Sequence, residues 1–552
     1  MRQICAMPPT RRAFLASTAA AALAACAPAL RIGRARRRLL LRNGTVIDGT
    51  GARRVVADVL LEDGVIADVG PSLAATGAEW FDVRGMIVAP GFIDIHSHGD
   101  ESLFADPMAE SVIRQGVTTI VVGQDGASNG PREQGDADAR FASIGEYFAA
   151  LERDVRPAVN VATMVGLGTV RGAVVGPANR PATPAELERM VALVEQALAD
   201  GACGASTGLE YAPGAFASTD ELIALCRPLA ARRLPYATHM RNEDDRLVEA
   251  VDESIAIARG VGCALQLSHL KTSGVRNFGK IDTVLARVDA AKAGGMDIAF
   301  DRYPYVAYST GLSNMFPVWA LDGGIAKFVE RLEASDSASR IRAESEAKAE
   351  TVGGWHNVVV SGVRNDADRA AEGQRIDDLA RAAGTPPYDY AAALLKRNGG
   401  NVGTVVFAMS EDNLKRFLAH PLGMVCSDGG AFAVSGPARQ GHPHPRGLGT
   451  FPRVLGRYVR EEHTLTLEQA VWKMSGFPAS RIGFGGMRGT LRRGAVADVV
   501  VFDPATVEDK ATFADPFQYP VGIPLVVVNG VVALRDGERG TVRSGRALRA
   551  RA

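Results

Sequence analysis

Eight short apolar runs in this chain end in polar residues, and five of those ends carry His96 and His98, Asp125, His239, His269 and Asp428. Imidazole nitrogen and carboxylate oxygen are the donors that zinc takes in a catalytic site, where one coordination position stays open to water. Water held by such an ion loses a proton near neutral pH and becomes a nucleophile strong enough for an amide. His96 and His98 stand at i and i+2 in VAPGFIDIHSHGD, a spacing that aims both rings at one face of a strand. One such pair is common by chance, and His239 or His269 alone would read as a hydrogen-bonded polar residue. Four histidines at the ends of the first, fifth and sixth runs form a ligand set. Asp428, in CSDGG at the end of the eighth run, can take a proton from the attacking water and deliver it to the leaving amine. An Asp before glycines also forms turns, and the two roles are compatible. Nothing in the sequence advertises a separate oxyanion hole, so the metal must polarise the scissile carbonyl.

Such side chains converge only if their strands are neighbours. The runs IVAPGFIDIHSH, VTTIVVG, AVNVATMVG, ACGASTGL, PYATHM, ALQLSHLK, DIAFDRYPY and GMVCSDGG alternate with helical stretches. That is the count of an α/β fold of the (β/α)8 TIM-like barrel class, whose sites lie at the C-terminal ends of the strands. PAELERMVALVEQALADG and RLVEAVDESIAIARGVG carry apolar residues at three- and four-residue steps and stop at glycine, as barrel helices do. The barrel is expected over residues 88–484, with a helical insertion at about 311–420, because that interval is too long for an ordinary connection. Such an insertion is either a lid or decoration. Residues 39–87 and 485–545 both read as short strands broken by Asn-Gly, Asp-Gly and Gly-rich turns. Each half would expose an apolar face alone, so the two ends are expected to pair in a small β-sandwich domain.

The first residues are an address and not part of the globule. Arg11 and Arg12 before Phe14 and Leu15 resemble a twin-arginine export signal, and Leu23-Ala24-Ala25-Cys26 resembles a lipoprotein cleavage box. Residues 1–26 are therefore expected to direct export to the periplasm or the outer face of a bacterial membrane, with a lipid anchor on Cys26; an ordinary Ala-rich cleavage region is the alternative. The apolar run is shorter than the roughly 20 residues that a spanning helix needs. Residues 27–38 form a basic linker able to rest against anionic lipid. A formal net charge of zero excludes a nucleic-acid or acidic-polymer partner as the default reading. Cys203, Cys226, Cys263 and Cys426 lack CxxC spacing and read as buried small hydrophobes.

From about Leu39 to the C-terminal sheet the chain resembles the amidohydrolase superfamily, and within it the N-acyl-D-amino-acid deacylase (D-aminoacylase) family. The resemblance rests on GFIDIHSH, GASTGLEYAPGAFASTDELIAL, THMRNEDDRLVEAVDESIAIAR, QLSHLKTSG with NFGK, DRYPYVAYSTGL, and SDGG followed by GHPHPRGLGTFPRVLGRYVRE. It implies the same barrel and end-to-end sheet, with His96, His98, His239 and His269 as ligands of one or two zinc ions. It makes Asp428 the catalytic acid/base and a metal contact. One position departs. The family carries a metal-bridging cysteine in a VVGNCG-like segment, whereas this chain has VVGQDG, so Asp125 takes its place. A carboxylate bridges divalent ions too, but as a harder ligand. Asp125 as a turn residue before Gly126, and Gln124 as the ligand, are the other readings.

A substrate with a free carboxylate needs a cationic clamp. Lys271, two residues past His269, shares its strand face, and Arg446 in GHPHPRGLG can grip a carboxylate bidentately. Tyr303 offers a hydroxyl, or is a core aromatic; the resemblance supports all three as substrate contacts. His442 and His444 read as loop-shaping residues. The expected activity is hydrolysis of N-acyl-D-amino acids by zinc-bound hydroxide, with Asp428 relaying the proton. A dipeptidase or carboxypeptidase-like hydrolase of peptides ending in a D-residue is the alternative. A cyclic-amide hydrolase is less favoured, since such rings need no carboxylate clamp. From another class, a catalytically inactive barrel would serve as a binding scaffold. The oligomeric state is left open.

Overall fold

The computed structural model describes residues 38–74, 76–100, 102–131 and 141–550. The export signal at 1–26, Cys26 included, and the linker up to residue 37 lie outside the described residues. Among the described residues no helix is long and apolar enough to cross a membrane. The four cysteines of the body are buried and unbridged.

Eight parallel strands form the barrel: Phe92–Asp94, Val117–Val122, Asn160–Thr163, Ala205–Gly208, Pro235–His239, Ala264–Leu267, Ile298–Arg302 and Gly423–Val425. They pair in sequence order, and the third strand runs through Met164 into Val165–Gly166 to join one sheet to the next. Between the eighth and first strands the ring closes at a parallel bridge of Ser97 with Gly429. Nearly every strand residue is buried on both faces, the pattern of parallel strands with helices outside. Ile93, Val121, Ala162, Ala237, Ala299 and Met424 fill the lumen. The outer helices obey their sequence signals. Pro184–Asp200 opens with a Thr183/Glu186 capping box, buries Met190, Val194, Ala197 and Leu198, and ends at Gly201 with φ 112.

Both chain ends meet in one nine-stranded sheet, joined where Ile87–Pro90 pairs antiparallel with Val499–Phe502. The sheet curls until Val65 bridges Val496, so its apolar faces enclose Leu41, Val59, Ile66, Val88, Val501 and Val527. Residues 545–550 leave this sheet and plug the N-terminal end of the barrel. There Ala547 bridges Val161 and Leu548 joins the lumen core.

The insertion corrects the expectation of a helical segment. It carries a three-stranded antiparallel sheet, with Val402–Phe407 between Ala307–Gly311 and Val358–Val363, alongside helices that include Ala338–Thr351 and Pro387–Arg397. The segment begins at Ala307, and the helix Glu411–Ala419, placed in it from sequence, packs Leu414, Phe417 and Leu418 into the barrel core instead. The insertion has its own core around Leu312, Phe316, Phe328, Val360 and Leu395. The runs VVVSGV and VGTVVF are β-branched, but they pair across some forty residues, which local periodicity does not reveal.

A buried polar cluster ties the end sheet to the barrel. Asp498 accepts from Asn160 of the third barrel strand (3.2 Å) and from the Asn529 N–H (2.7 Å), and pairs with Arg488. Asp498 and Arg488 are 5% and 7% exposed, so neither has water to fall back on. Asp498→Ala strands the guanidinium and is expected to lower unfolding free energy by about 3–5 kcal/mol. Denaturant titration measures it; an unshifted midpoint would show that the cluster does not hold the two bodies together.

Candidate metal centre

His96 and His98 follow the first barrel strand, Asp125 the second, His269 the sixth and Asp428 the eighth, while His239 is the last residue of the fifth. Three of them hold left-handed backbone: Asp125 (φ 51), His269 (φ 37) and Asp428 (φ 50). That conformation turns the chain sharply off the strand and points the side chain over the barrel mouth; outside glycine it is uncommon, and Asn, Asp and His adopt it most readily. The turn at Asp125 is made possible by its neighbour on the fourth strand. A Cβ on Gly208 would stand 2.1 Å from the Asp125 carbonyl oxygen.

Asp125 occupies the middle of the four histidines. Its Oδ1 lies 3.4 Å from His96 Nε2, and its Oδ2 lies 3.5 Å from His98 Nε2, 3.4 Å from His269 Nε2 and 3.9 Å from His239 Nδ1. Asp428 Oδ1 stands 3.0 Å from His98 Nε2 and 3.6 Å from His96 Nε2. Donor atoms of His96, Asp125, His269 and Asp428 all fall within 4.8 Å of one another, as do those of His239, Glu243 and His269. His96 Nε2 and Asp125 Oδ1 are buried without a hydrogen-bond partner. Orphaned nitrogen and oxygen atoms that converge on a common space fit a divalent cation, and this donor set suits zinc. Burial pushes the Asp125 carboxyl up, but His96 and His269 outweigh it and hold the group well below the usual carboxylate range. Asp428 shows the same balance, with Arg446 the strongest force keeping it ionised.

A second set of carboxylates faces the other side of three of the imidazoles. Asp301 Oδ1 lies 3.4 Å from His96 Nδ1 and accepts the His269 N–H at 2.8 Å. Glu243 Oε1 stands 3.1 Å from His269 Nδ1, and Glu210 Oε2 stands 3.7 Å from His239 Nε2. His269 Nδ1 is shared between Glu243 and Lys271 Nζ (2.8 Å), while His96 Nε2, His269 Nε2 and His239 Nδ1 turn inward toward Asp125. Sequence reasoning missed all three acids. The available signals were Glu243 at i+4 from His239 and Asp301 on the inward face of DRYPY. Gln124 donates its amide to the Ile95 carbonyl (3.0 Å), so its oxygen is the end left toward the cavity.

The expected carboxylate clamp lines the same cavity of about 570 Å³. Lys271 Nζ donates to both Glu243 oxygens at 2.6 Å. Arg446 NH1 lies 2.7 Å from Asp428 Oδ2, and its guanidinium stacks over the Tyr303 ring at 4.7 Å. The Tyr303 ring is fully buried while its hydroxyl has no partner, so core aromatic and cavity hydroxyl are one residue. His444 accepts the Arg446 N–H (3.0 Å) and contacts the Ala307 carbonyl (2.9 Å), while His442 contacts the Phe513 carbonyl (2.7 Å). Both shape the loop that carries Arg446.

Residues 429–534 match the Amidohydrolase family. Over 521 residues the chain is 37% identical to a D-aminoacylase of Alcaligenes xylosoxydans xylosoxydans, covering 92% of this chain and 97% of the relative. The chain belongs to the D-aminoacylase family of amidohydrolases. An N-acyl-D-glutamate deacylase of the same organism is 38% identical over 524 residues, covering 93% and 96%. The structure is similar to that of N-acyl-D-glutamate deacylase from Bordetella bronchiseptica complexed with zinc and a phosphonate mimic of the tetrahedral intermediate. That match has a TM-score of 0.78 and 38% identity, and covers 93% of this chain and 99% of the other. Glu243→Gln keeps the shape but removes the charge that orients His269, and is expected to weaken zinc binding roughly 10–100-fold. Competition with a chromogenic chelator reads it out; unchanged affinity would exclude an orienting role.

Proposed function

We propose that this enzyme hydrolyses N-acyl-D-amino acids, using zinc held by His96, His98, Asp125, His239, His269 and Asp428. The observation that carries the reading is the meeting, in one cavity, of a carboxylate-centred histidine cluster with Lys271, Tyr303 and Arg446. The relatives that are 37–38% identical act on N-acyl-D-amino acids by name, and one was captured with zinc and a tetrahedral mimic. Bound zinc supplies Lewis acidity toward the scissile carbonyl and acidifies water.

The chain's own residues do the rest. Lys271, Arg446 and the Tyr303 hydroxyl receive the substrate carboxylate, which fixes the amide over the histidine cluster. Asp428 accepts a proton at Oδ1, the oxygen that faces His98, and delivers it to the leaving nitrogen as the amide bond breaks. Arg446 on Oδ2 holds Asp428 in the ionised form that a base requires, and positions it. Asp125 links the histidines of the first strand to those of the fifth and sixth, the task that a thiolate performs in the family. The export signal and lipid anchor at Cys26 join the proposal on sequence alone, and they favour the D-residue peptidase as the second reading, because cell-wall peptides would lie within reach.

Zinc-loaded enzyme assayed on N-acetyl-D-amino acids, their L-counterparts and L,D-dipeptides tests this, with the N-acetyl-D series expected to be fastest. Preference for the L series would refute it, and loading without any turnover would favour the scaffold reading. Asp125→Ala is expected to lower metal stoichiometry and rate together, while Asp125→Cys retains both. Full stoichiometry in the alanine variant would take Asp125 out of the centre.

A further inference from the structure

The insertion lies outside the barrel, yet its helix Ala338–Thr351 ends against the two loops that follow His239 and His269. Lys348 Nζ lies 2.6 Å from Asp244 Oδ2 in the loop after the fifth strand. Arg276, beyond the sixth strand, pairs with Asp245 and donates to the Thr351 hydroxyl, so one side chain joins both loops to the helix end. Gly274 (φ 82) makes the closest approach, where a Cβ would strike the Thr351 carbonyl oxygen. The helix end is therefore seated by packing as well as by charge.

That seat encloses a small polar space behind His239. A cavity of about 20 Å³ lies between Glu210, His239, Glu243, Asp244, Tyr308 and Lys348. It has room for about one water, so these charges act on one another with little screening. Glu210 Oε2 faces His239 Nε2 at 3.7 Å, and that nitrogen is buried without a hydrogen-bond partner. Glu210 needs holding there, because it stands in the turn after the fourth strand and not on the strand itself. Its Oε1 accepts the Glu243 N–H (3.1 Å), and its Oε2 accepts the side-chain amide of Asn314, an insertion residue (3.2 Å). Among the described residues that line this cavity, Lys348 is the one cation apart from the histidine. Glu243 is balanced by Lys271, whereas Glu210 has Lys348 across the cavity.

We propose that Lys348 and Asn314 are positioning residues of the metal centre, through which the insertion holds Glu210 behind His239 and keeps the inner nitrogen of that imidazole toward Asp125. The proposal rests on the zinc reading of the histidine cluster. Lys348 and Asn314 also line the outer cleft of about 1480 Å³, so whatever enters that cleft meets the residues that brace a ligand.

Two measurements on the full chain test this: zinc affinity, by competition with a chromogenic chelator, and the visible spectrum of the cobalt-loaded protein. Lys348→Met removes the charge at similar length and is expected to weaken zinc binding about 10–100-fold and to shift the cobalt bands. Asn314→Asp sets a second acid against Glu210 and is expected to change both in the same direction. Glu344→Gln is the control. It lies one turn away on the same helix but holds Trp319 and Arg340 instead of the loops, and wild-type values are expected. Wild-type affinity or wild-type bands in Lys348→Met or Asn314→Asp would overturn the proposal for that residue. An equal loss in Glu344→Gln would overturn it for both, since general loosening of the insertion would then explain the effect. A wild-type chain that binds neither ion would overturn the zinc reading along with the proposal.

Discussion

Two backbone hydrogen bonds close the barrel: Asp428 N–H donates to the His96 carbonyl (2.8 Å), and His98 N–H donates to the Gly429 carbonyl (2.9 Å). The last strand has only three residues in regular pairing, Gly423–Val425, so these bonds and the Ser97–Gly429 bridge carry the seam beyond it. Site and seam are therefore one structure. The first pair of histidines and Asp428 cannot shift independently, because the backbone groups that close the ring are theirs and those of Gly429. Buried Asp94 sits under the seam and accepts the Ser427 N–H (2.8 Å), which fixes the approach to Asp428. Left-handed backbone at Asp125, His269 and Asp428 is held against a cost of about 1–3 kcal/mol each by this closure and by glycines at the points of closest contact.

Electrostatics reinforce that geometry in layers. Asp125 and Asp428 face the inner nitrogens, Asp301, Glu243 and Glu210 face the outer ones, and Lys271 and Arg446 balance the acids from the substrate side. Burial alone would push these carboxyls toward protonation; their cationic neighbours keep them charged. Glu243 belongs to two layers at once, since the same carboxylate touches His269 and grips Lys271. Consecutive acids then reach outward: Asp244 holds Lys348 of the insertion and Asp245 holds Arg276. The loop after the fifth strand thereby ties the insertion to the histidine cluster.

The barrel and its strand-end histidines were legible because they rest on local signals: apolar runs of strand length, glycine-stopped helices, and paired histidines at i and i+2. The pairing of the chain ends was legible from a different argument, the apolar face that each half would otherwise expose. Asp301, Glu243 and Glu210 were not, because an acid at the end of a strand or in a loop looks the same whether it faces solvent or an imidazole. The insertion's sheet escaped for a topological reason. Its central strand, Val402–Phe407, finds its neighbours at Ala307–Gly311 and Val358–Val363, and only the folded chain brings those segments together.

Aspartate at position 125 is intelligible on both backbone and ligand grounds. The position demands left-handed φ, which Asp adopts more readily than most residues. It also demands contact with histidines on opposite sides of the barrel mouth, and a carboxylate answers with two atoms where a thiol has one: Oδ1 faces His96, and Oδ2 faces His98, His239 and His269. A harder donor favours oxygen- and nitrogen-loving cations over the softest ones. One carboxylate thus meets both histidine groups, while Lys271, Arg446 and Asp428 stay where the fold puts them.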